Sequence, residues 1–397
     1  MSKIPRVAVL VESTRSYGRW QLAGITSYLR KHGPWAIYWQ ERGLNDPPPV
    51  WLRDWEGDGI IARITTRRLA RAIEELDLPT VDLYGWLPGV TWPCLRADNV
   101  RVVHLAVDHL LERGFRHLAY CGFTGVNYSE ERLRVFQQRI AQAGHLCHVC
   151  PSPRLRQSGG IAVSEQQGLL YEAELADWLR ELPKPVGILA CNDIRGQQIL
   201  TTCREIGLLA PDQVAVLGVD NNELLCNLSD PPLSSVDLNC ERMGYEAAAL
   251  LARLMAGRHP KARTIRIEPR GVVTRHSTDV LAIEDAEIAA AVRLIRLRAC
   301  DGLTVHDVLA SCSLSSSALE RRFLHLLGRT PKAEILRVRV QRVMELLAEP
   351  DLSQPAIAAR TGFKHPEYMN AVFKRKVGMS PGKYRKQVIR RMKEEGP

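Results

Sequence analysis

The sequence predicts an α/β domain built on parallel sheets, followed by an all-α domain that carries two helix-turn-helix motifs. Between residues 6 and 270, short β-branched runs alternate with amphipathic stretches of 10–15 residues. This alternation is typical of strand–helix–strand units. Residues 304–331 return as residues 354–381 with the same arrangement of apolar, glycine and proline positions. A duplicated unit of two short helices explains this offset of 50 residues.

Charge and composition restrict the class of protein. The 397-residue chain has a formal net charge of +10; residues 281–397 hold 21 Lys and Arg against 13 Asp and Glu, whereas residues 1–280 hold 33 against 31. This excess favours a polyanionic partner for the C-terminal part, with a solvated basic tail as the alternative. The chain shows no apolar run of membrane-span length and no signal-peptide pattern. We therefore expect a cytoplasmic protein with reduced cysteines and no membrane contact.

Each element of the α/β domain is predicted from its periodicity and residue types. The predicted strands are residues 6–11, 36–40, 58–64, 79–85, 117–123, 145–149, 186–190 and 214–219. The predicted helices are residues 17–31, 66–76, 100–113, 130–143, 169–182, 195–206 and 240–255. Gly114 and Gly144 close two of these helices, because glycine is favoured just after a helix C-terminus.

Polar side chains follow several predicted strands. Glu12 follows the first strand, Trp86 the fourth, and Asp193 and Asp220 the last two, while Arg132 begins the helix after the fifth. Ligands of open parallel sheets bind beyond the carboxyl ends of the strands. Carboxylates, guanidinium groups and aromatic faces in this place suit a small polyol. The alternative is that the aspartates are only helix N-caps or turn residues.

Motifs for other chemistry are weak. The sequence contains no phosphate-binding loop, no dinucleotide fingerprint, no nucleophile elbow and no H-E-x-x-H, which disfavours an enzyme. His145, Cys147, His148 and Cys150 have a spacing that could ligate zinc. They lie on a predicted strand, whose neighbouring side chains point to opposite faces. An ordinary strand is therefore preferred, and we expect no metal, no cofactor and no catalytic residue.

Each copy of the C-terminal repeat predicts a short helix, a turn and a second helix. Leu319 and Phe323, like Met369 and Phe373, are spaced i, i+4 and should face the core. Small residues near the ends of the first helices, Ala310 and Ala358–Ala359, would let the second helices cross closely. A helix over residues 332–348, about 25 Å long, would hold the two units near the ~34 Å spacing of successive major grooves.

The other face of each second helix is polar and would enter a major groove. Ser315 and His365 are the predicted N-caps, with Pro366 at the first helical position. Lys374 and Arg375 begin a basic run that would contact phosphates, with a solvated helix face as the alternative. The candidates for base contacts are Ser316, Ser317, Glu320, Arg321, Glu367 and Asn370.

These motifs resemble two known families. Residues 287–387, with S-x-x-x-L-x-R-x-F at 315–323 and a later G-x-[TS]-P in both copies, resemble the AraC-type DNA-binding domain; residues 357–385 are the most diagnostic. Residues 6–274 resemble the LacI-type, periplasmic-binding-protein-like sensor through RADN (96–99), CND (191–193), VLGVDNNELL (216–225) and PPLSSVDLN (231–239). The resemblance implies a two-lobed sensor at residues 1–276, a linker at 277–286 and a DNA-binding domain at 287–397.

The resemblance also carries expectations about the sites. Arg132, Asp193 and Asp220 fall where this sensor family commonly holds its sugar, with Glu12, Tyr17 and Trp86 as further candidates. Ser317, Glu320, Arg321, Glu367 and Asn370 fall on base-facing positions, whereas Ala371 replaces a polar reader found in many members. The order of the domains resembles bacterial xylose-operon regulators, which implies a pentose effector, with D-xylose as the first candidate.

We therefore predict a cytoplasmic transcription regulator, an activator that binds double-stranded operator half-sites as a homodimer and contacts RNA polymerase. A small sugar in the sensor would favour a closed form by its differential affinity for two states. Two alternatives remain open. One is a metabolite-processing enzyme fused to a DNA-binding domain, and the other is an oligomerisation module with an empty cleft.

Overall fold

Six parallel strands form the first sheet of the N-terminal unit, which spans residues 1–282. They are β1 (Arg6–Leu10), β2 (Ala36–Tyr38), β3 (Gly59–Ala62), β4 (Thr80–Asp82), β5 (Cys94–Ala97) and β11 (Thr264–Ile267). Their spatial order is β11-β5-β4-β3-β1-β2. Helices α1 (Ser16–His32) and α8 (Cys240–Met255) pack on one face of this sheet, and α2 (Arg67–Glu74) packs on the other. The sheet and these helices form the first lobe.

The second lobe is built around another six-stranded sheet. Its strands are β6 (His117–Cys121), β7 (Cys147–Val149), β8 (Val186–Ala190), β9 (Val214–Val219), β10 (Ser234–Asp237) and β12 (Gly271–Val273), in the order β12-β10-β9-β8-β6-β7. Only β12 runs antiparallel to its neighbour. The helices of this lobe are α3 (Asn99–Glu112), α4 (Asn127–Gln142), α5 (Glu172–Glu181), α6 (Asp193–Glu205) and α7 (Glu223–Leu228). Apolar cores fill both faces of the sheet.

The computed structural model describes residues 4–44, 46–151, 172–258, 260, 262–279, 285–347 and 352–394. Within them the chain passes between the lobes three times, after β5, after β10 and after β11. Each lobe is therefore assembled from separate stretches of sequence. Each of these three connections begins at the carboxyl end of a strand. The residues near them therefore lie where the two lobes meet.

Helices α1 and α8 cross closely because a glycine of each faces the backbone of the other. A Cβ atom added to Gly24 would lie 1.9 Å from the carbonyl oxygen of Glu241, and one added to Gly244 would lie 1.9 Å from that of Gln21. No side chain fits at either position without separating the helices. This contact fixes α8, and with it the crossing after β10, against the first lobe.

The structure contains every strand and helix predicted for the N-terminal unit; β8, β9 and α8 have the predicted bounds, whereas the other strands are shorter and the other helices begin one to three residues away from the prediction. Helix α4 begins at Asn127, three residues before the prediction, and residues 169–171 of another predicted helix lie outside the described residues. The prediction missed β5, β10, β11, β12 and α7. These elements are short, at three to six residues, and β5 and β11 carry arginines. Such elements are stabilised by tertiary pairing rather than by their own periodicity.

The boundary between the units differs from the predicted linker at residues 277–286. Ser277 and Thr278 are fully buried in the N-terminal unit. The Ser277 hydroxyl donates to the carbonyl oxygen of Val216 at 2.5 Å, and Thr278 donates to Ser234 at 2.7 Å. Residues 280–284 lie outside the described residues. Because these hydroxyls are tied to strands of the second lobe, residues 277 and 278 belong to the sensor fold and not to a linker.

Helices alone form the described part of the C-terminal unit, residues 283–397. They are α9 (Ala286–Arg298), α10 (Val305–Ala310), α11 (Ser316–Leu327), α12 (Pro331–Leu346), α13 (Gln354–Arg360), α14 (Pro366–Val377) and α15 (Pro381–Glu394). Two helix-turn-helix motifs result, α10–α11 and α13–α14. Helix α12 contacts α9 and both motifs, and residue 348 of its predicted span lies outside the described residues.

The cores of the two motifs are confirmed, but the reason given for their close crossing is wrong in the first copy. Leu319, Phe323, Met369 and Phe373 are all at most 1% exposed. Ala358 is buried in the second motif as predicted, whereas Ala310 lies exposed in the first. Val308, at the position equivalent to Ala358, is the fully buried residue there. The β-branched side chain of Val308 therefore fills the crossing point of the two helices in the first motif, where a small residue was predicted.

Candidate ligand cavity and nucleic-acid interface

One cavity of the N-terminal unit is lined by residues from both lobes. Five of the six residues predicted for ligand binding line it, namely Tyr17, Trp86, Arg132, Asp193 and Asp220. Glu12 is buried and does not line it, which corrects the expectation for that residue. Polar lining residues that the sequence analysis did not single out are Arg15, Ser16, Arg63, Arg96, Asn99, Tyr128 and Asn222. Arg63 directly follows β3, but the predicted strand ran to residue 64 and placed Arg63 inside it, so the strand-end rule passed over this residue.

Arg132 reaches the cavity from α4 and is held by three neighbours. Its Nε donates to Asn99 Oδ1 at 2.8 Å, and another guanidinium nitrogen donates to the carbonyl oxygen of Cys191. The guanidinium carbon lies 5.1 Å from the centroid of the Tyr128 ring. These contacts orient a planar cation, which suits hydrogen bonding to ligand oxygens in fixed directions.

Asp193 and Asp220 place two carboxylates of the second lobe at the cavity. The helix N-caps at these strand ends are Asn192 and Asn222, so the aspartates are not the caps, and of the alternative only the turn-residue part remains. Asp193 accepts from Ser235 Oγ at 2.5 Å and from the Asn222 backbone N–H at 2.7 Å. Burial and the nearby negative charge of Asp220 raise the pKa of Asp193 to about 8. At neutral pH Asp193 therefore retains its proton in the absence of ligand.

This raised pKa predicts a pH-dependent stability of the N-terminal unit. An Asp193 carboxyl that binds its proton more tightly in the folded state stabilises the fold below pH 4, and that contribution is lost as the pH rises through about 8. We expect the free energy of unfolding to fall over this window, by roughly 1.4 kcal/mol per pH unit at the steepest. In Asp193→Asn this fall should disappear.

The measurement is urea unfolding of the wild type and of Asp193→Asn between pH 4 and 9, with tryptophan fluorescence as the signal of unfolding. All eight tryptophans lie within residues 20–178, so the signal reports the N-terminal unit alone. Asp177→Asn, which changes an exposed carboxylate of the same lobe, is the matched control. Equal pH dependence in wild type and Asp193→Asn would contradict the prediction.

Glu12 acts on the cavity through Arg63. The Arg63 guanidinium forms an ion pair with the Glu12 carboxylate and stacks on Tyr17, with its central carbon 4.6 Å from the ring centroid. Tyr17 in turn donates its hydroxyl to the sulfur of Met243 at 3.3 Å. Burial alone would lower the pKa of Arg63, but the carboxylate of Glu12 raises it above the usual value. Arg63 is therefore charged and lies in the wall, with Glu12 behind it.

Trp86 lies on a loop whose shape depends on Asp82. The Asp82 carboxylate accepts from the backbone N–H groups of Tyr84 and Gly85, both at 2.8 Å. Burial raises the pKa of Asp82, against the effect of these hydrogen bonds. The Arg96 guanidinium carbon lies 4.1 Å from the centroid of the Trp86 indole. The first-lobe wall thus combines aromatic faces with guanidinium groups.

The helices α11 and α14 carry the residues predicted for DNA contacts. The exposed members of this set are Ser316, Ser317, Glu320, Arg321, Glu367, Lys374 and Arg375. Ser315 caps α11 by accepting from the Ala318 N–H at 3.3 Å, whereas His365 caps α14 without a side-chain hydrogen bond. Arg322, next to Arg321, is directed instead to Asp285 at 3.0 Å. Arg321 is exposed, whereas Arg322, whose side chain is 42% exposed, is held in this ion pair.

Asn370 and Arg385 differ from the expectation of a solvent-facing contact. Asn370 is half-buried and donates through Nδ2 to Gln354 Oε1 at 2.9 Å, which joins the two helices of the second motif. Arg385, part of the predicted basic run, donates to the carbonyl oxygen of Leu352 at 2.6 Å. Tyr368, which the sequence analysis did not single out, is 49% exposed on α14. Its place beside Glu367 adds an aromatic side chain to this face.

Two negative observations concern the described residues. Within those ranges, no helix combines the length and apolar character needed to cross a membrane. In the same part of the chain, no three His, Cys, Asp or Glu side chains lie together as a metal site, and the segment with Cys147 forms β7.

Comparisons with known proteins agree with both halves of the architecture. Residues 107–278 match the model of a periplasmic binding protein-like domain, and residues 308–387 match that of a helix-turn-helix domain. The xylose operon regulatory protein of Escherichia coli K12 is 31% identical over 394 residues, which cover 97% of each chain. Its namesake in Haemophilus influenzae Rd is 28% identical and covers 96% of this chain and 98% of its own.

A solved structure extends this likeness to the fold of the whole chain. The structure of a xylose-binding transcription activator matches with a TM-score of 0.76 and 30% identity, and covers 97% of this chain and 98% of its own. These matches confirm the predicted fold class and give no support to the enzyme alternative. The chain therefore belongs to the family of the xylose operon regulatory proteins, as a transcription regulator with a helix-turn-helix DNA-binding domain.

Proposed function

We propose that this regulator is an activator controlled by a small sugar of the pentose class, with D-xylose as the first compound to test. The observation that carries the proposal is the cavity between the lobes, where two carboxylates and Arg132 meet the aromatic faces of Tyr17 and Trp86. Carboxylates and a guanidinium group satisfy ring hydroxyls, and aromatic faces cover the apolar side of a sugar. Relatives named for the xylose operon add support for a pentose.

The mechanism follows from the position of the site. Asp193 and Asp220 belong to the second lobe, whereas Tyr17 and Trp86 belong to the first. A sugar that contacts both sets binds the closed arrangement of the lobes better than an open one. The sugar shifts the equilibrium toward the closed arrangement by no more than the difference between its affinities for the closed and open arrangements.

The proposed DNA contacts divide into two kinds. Arg321, Glu367 and the other exposed polar residues of α11 and α14 would read base edges in successive major grooves. Lys374 and Arg375 would contact phosphates, which position the domain without reading sequence. We propose that the protein acts in the cytoplasm as a homodimer on repeated half-sites and contacts RNA polymerase from the bound DNA.

The first experiment is a thermal-shift screen of the full chain against free pentoses, hexoses and sugar phosphates. Tryptophan fluorescence is the signal that reports unfolding. A ligand at 100 times its Kd should add about 2.7 kcal/mol to the stability of the N-terminal unit. The compound that binds should then change the affinity for a duplex selected from a random library. Sedimentation equilibrium with and without sugar measures the oligomeric state. Sugar binding without any change in DNA affinity would contradict the proposed control, and no binding by any sugar would contradict the effector class.

A further inference from the structure

Residues 275–279, the junction segment, are the last described residues of the N-terminal unit. Five residues of sequence lie between this segment and Asp285, the N-cap of the first helix of the C-terminal unit. Arg275 is half-buried, and its guanidinium group donates to Asn221 Oδ1 at 2.8 Å and to the carbonyl oxygen of Leu233 at 3.0 Å. An arginine in the segment that leads to the DNA-binding unit is thus bonded to the sensor fold.

Asn221 connects this arginine to the wall of the cavity. It directly follows Asp220, which lines the cavity. The Asn221 backbone N–H donates to Ser235 Oγ at 2.9 Å, and the Ser235 hydroxyl donates to Asp193 Oδ1 at 2.5 Å. Among the described residues, neither Asn221 nor Ser235 lines the cavity. Three hydrogen bonds in series therefore join the Asp193 carboxyl group to the Arg275 guanidinium behind the cavity wall.

The rest of the junction segment is fastened to the second lobe as well. The Arg275 backbone N–H donates to Ser234 Oγ on β10 at 2.7 Å. The Thr278 carbonyl oxygen accepts from Arg113 Nε at 2.7 Å, directly after α3. The Thr278 hydroxyl lies 2.8 Å from His109 Nε2, on α3 itself. These contacts fix the junction segment to the lobe that carries both aspartates of the cavity.

The loop between the cavity and Arg275 has a constrained backbone. Asp220 and Asn221 have φ angles of 117° and 52°. Residues other than glycine keep a positive φ where surrounding contacts enforce it, and such residues cluster at ligand sites and switch regions. Here Arg275 holds the Asn221 side chain on one side, and a sugar that bonds to Asp220 adds a contact on the other. Because the two residues are adjacent, a shift of Asp220 displaces the oxygen that accepts from Arg275.

We infer that Arg275 is the positioning residue that transmits the effect of the sugar out of the cavity, because it binds the junction segment to Asn221 behind the two aspartates. A sugar that orders Asp220 also fixes the Asn221 amide, and with it the start of the chain that leads to the DNA-binding unit. Without this contact, sugar and DNA each bind, but neither changes the affinity for the other. The inference rests on the proposed sugar-controlled function and adds the route of that control.

The test is the coupling ratio of the full chain, which is the Kd for the selected duplex without sugar divided by the Kd with saturating D-xylose. Fluorescence anisotropy of the labelled duplex gives both values, and calorimetry sets the saturating concentration for each variant. The wild type should have a ratio of about 5 to 150, and Arg275→Gln a ratio of about 1. Arg275→Lys still donates to one acceptor and should keep part of the ratio. By reciprocity, the D-xylose affinities of free and duplex-bound protein should differ by the same ratio.

Asn221→Gly removes the same contact from its other side. Glycine is favoured at a φ of 52°, so this variant keeps the loop backbone and the N–H that donates to Ser235. It should lower the coupling ratio as far as Arg275→Gln does. The double variant should lower the ratio no further, because both substitutions remove one shared interaction. The controls are Arg204→Gln, an arginine of the second lobe with a 60% exposed side chain, and Asp77→Gly, an exposed residue with a φ of 45°.

The outcomes separate this inference from the proposed function. A wild-type ratio in both Arg275→Gln and Asn221→Gly would overturn the inference and leave the proposed function standing. An equal loss in Arg204→Gln or Asp77→Gly would also overturn it, since the loss would then not depend on this contact. Additive losses in the double variant would show that the two residues act separately. A ratio of about 1 in the wild type would contradict the proposed control by D-xylose, and the inference with it.

Discussion

Replacing Asp220 with alanine should weaken sugar binding by about 100-fold, because a half-buried carboxylate that accepts from two sugar hydroxyls contributes roughly 1.5 kcal/mol per charged hydrogen bond. DNA binding in the absence of sugar should be unchanged, since the helix-turn-helix motifs lie in the other unit. The response of DNA affinity to sugar should vanish. Calorimetry measures the first effect, and fluorescence anisotropy of a labelled duplex measures the others.

The backbone at Asp220 requires a second variant. Its φ of 117° lies in a region that favours glycine, so alanine keeps the backbone strain that the aspartate bears while it loses the carboxylate. Asp220→Gly removes the same carboxylate without that strain. The two variants should lose sugar affinity equally, and the glycine variant should have the higher free energy of unfolding. Asp177→Ala, in an exposed ion pair of the same lobe, is the control. Full sugar affinity in Asp220→Gly would show that Asp220 does not bind the sugar.

Replacing Phe373 with alanine should weaken DNA binding and leave sugar binding unchanged, which is the opposite of the effect of Asp220→Ala. The side chain is fully buried on α14, packs among Val343, Ile357 and Met369, and lies 5.6 Å from the Tyr384 ring between centroids. Its removal should cost about 3–5 kcal/mol in the stability of the C-terminal unit. Because this core holds α14 in place, affinity for the selected duplex should fall toward the non-specific level.

Separate signals distinguish this effect from a general loss of folding. Far-ultraviolet circular dichroism follows the helices of both units, whereas tryptophan fluorescence follows only the N-terminal unit, so a transition seen by circular dichroism alone belongs to the helical unit. Sugar affinity and the fluorescence transition of Phe373→Ala should match those of the wild type. Leu297→Ala removes a large apolar side chain that is 73% exposed on α9 and should change neither signal. Retention of tight sequence-specific DNA binding by Phe373→Ala would show that the second motif does not take part.

Local patterns were sufficient for the fold class and for the cores of the DNA-binding motifs. Strand and helix periodicities are properties of neighbouring residues, so the alternation over residues 6–270 predicted a parallel α/β fold. The repeat at 50 residues placed Phe323 and Phe373 in equivalent cores, as found. The strand-end rule brought Arg132, Asp193 and Asp220 to one cavity, because parallel strands present their carboxyl ends at one edge.

Local sequence patterns thus predicted two domains, their order and the strand ends where a ligand would bind. Which side chains meet at those strand ends depended on the packing of the folded chain. This packing moved Glu12 behind Arg63, brought Arg96 onto Trp86, and tied Asn370 to Gln354. These contacts join residues 10 to 51 positions apart. The physical reason is that periodicity reports which face of an element is buried, whereas partners across the fold depend on the packing of elements distant in sequence.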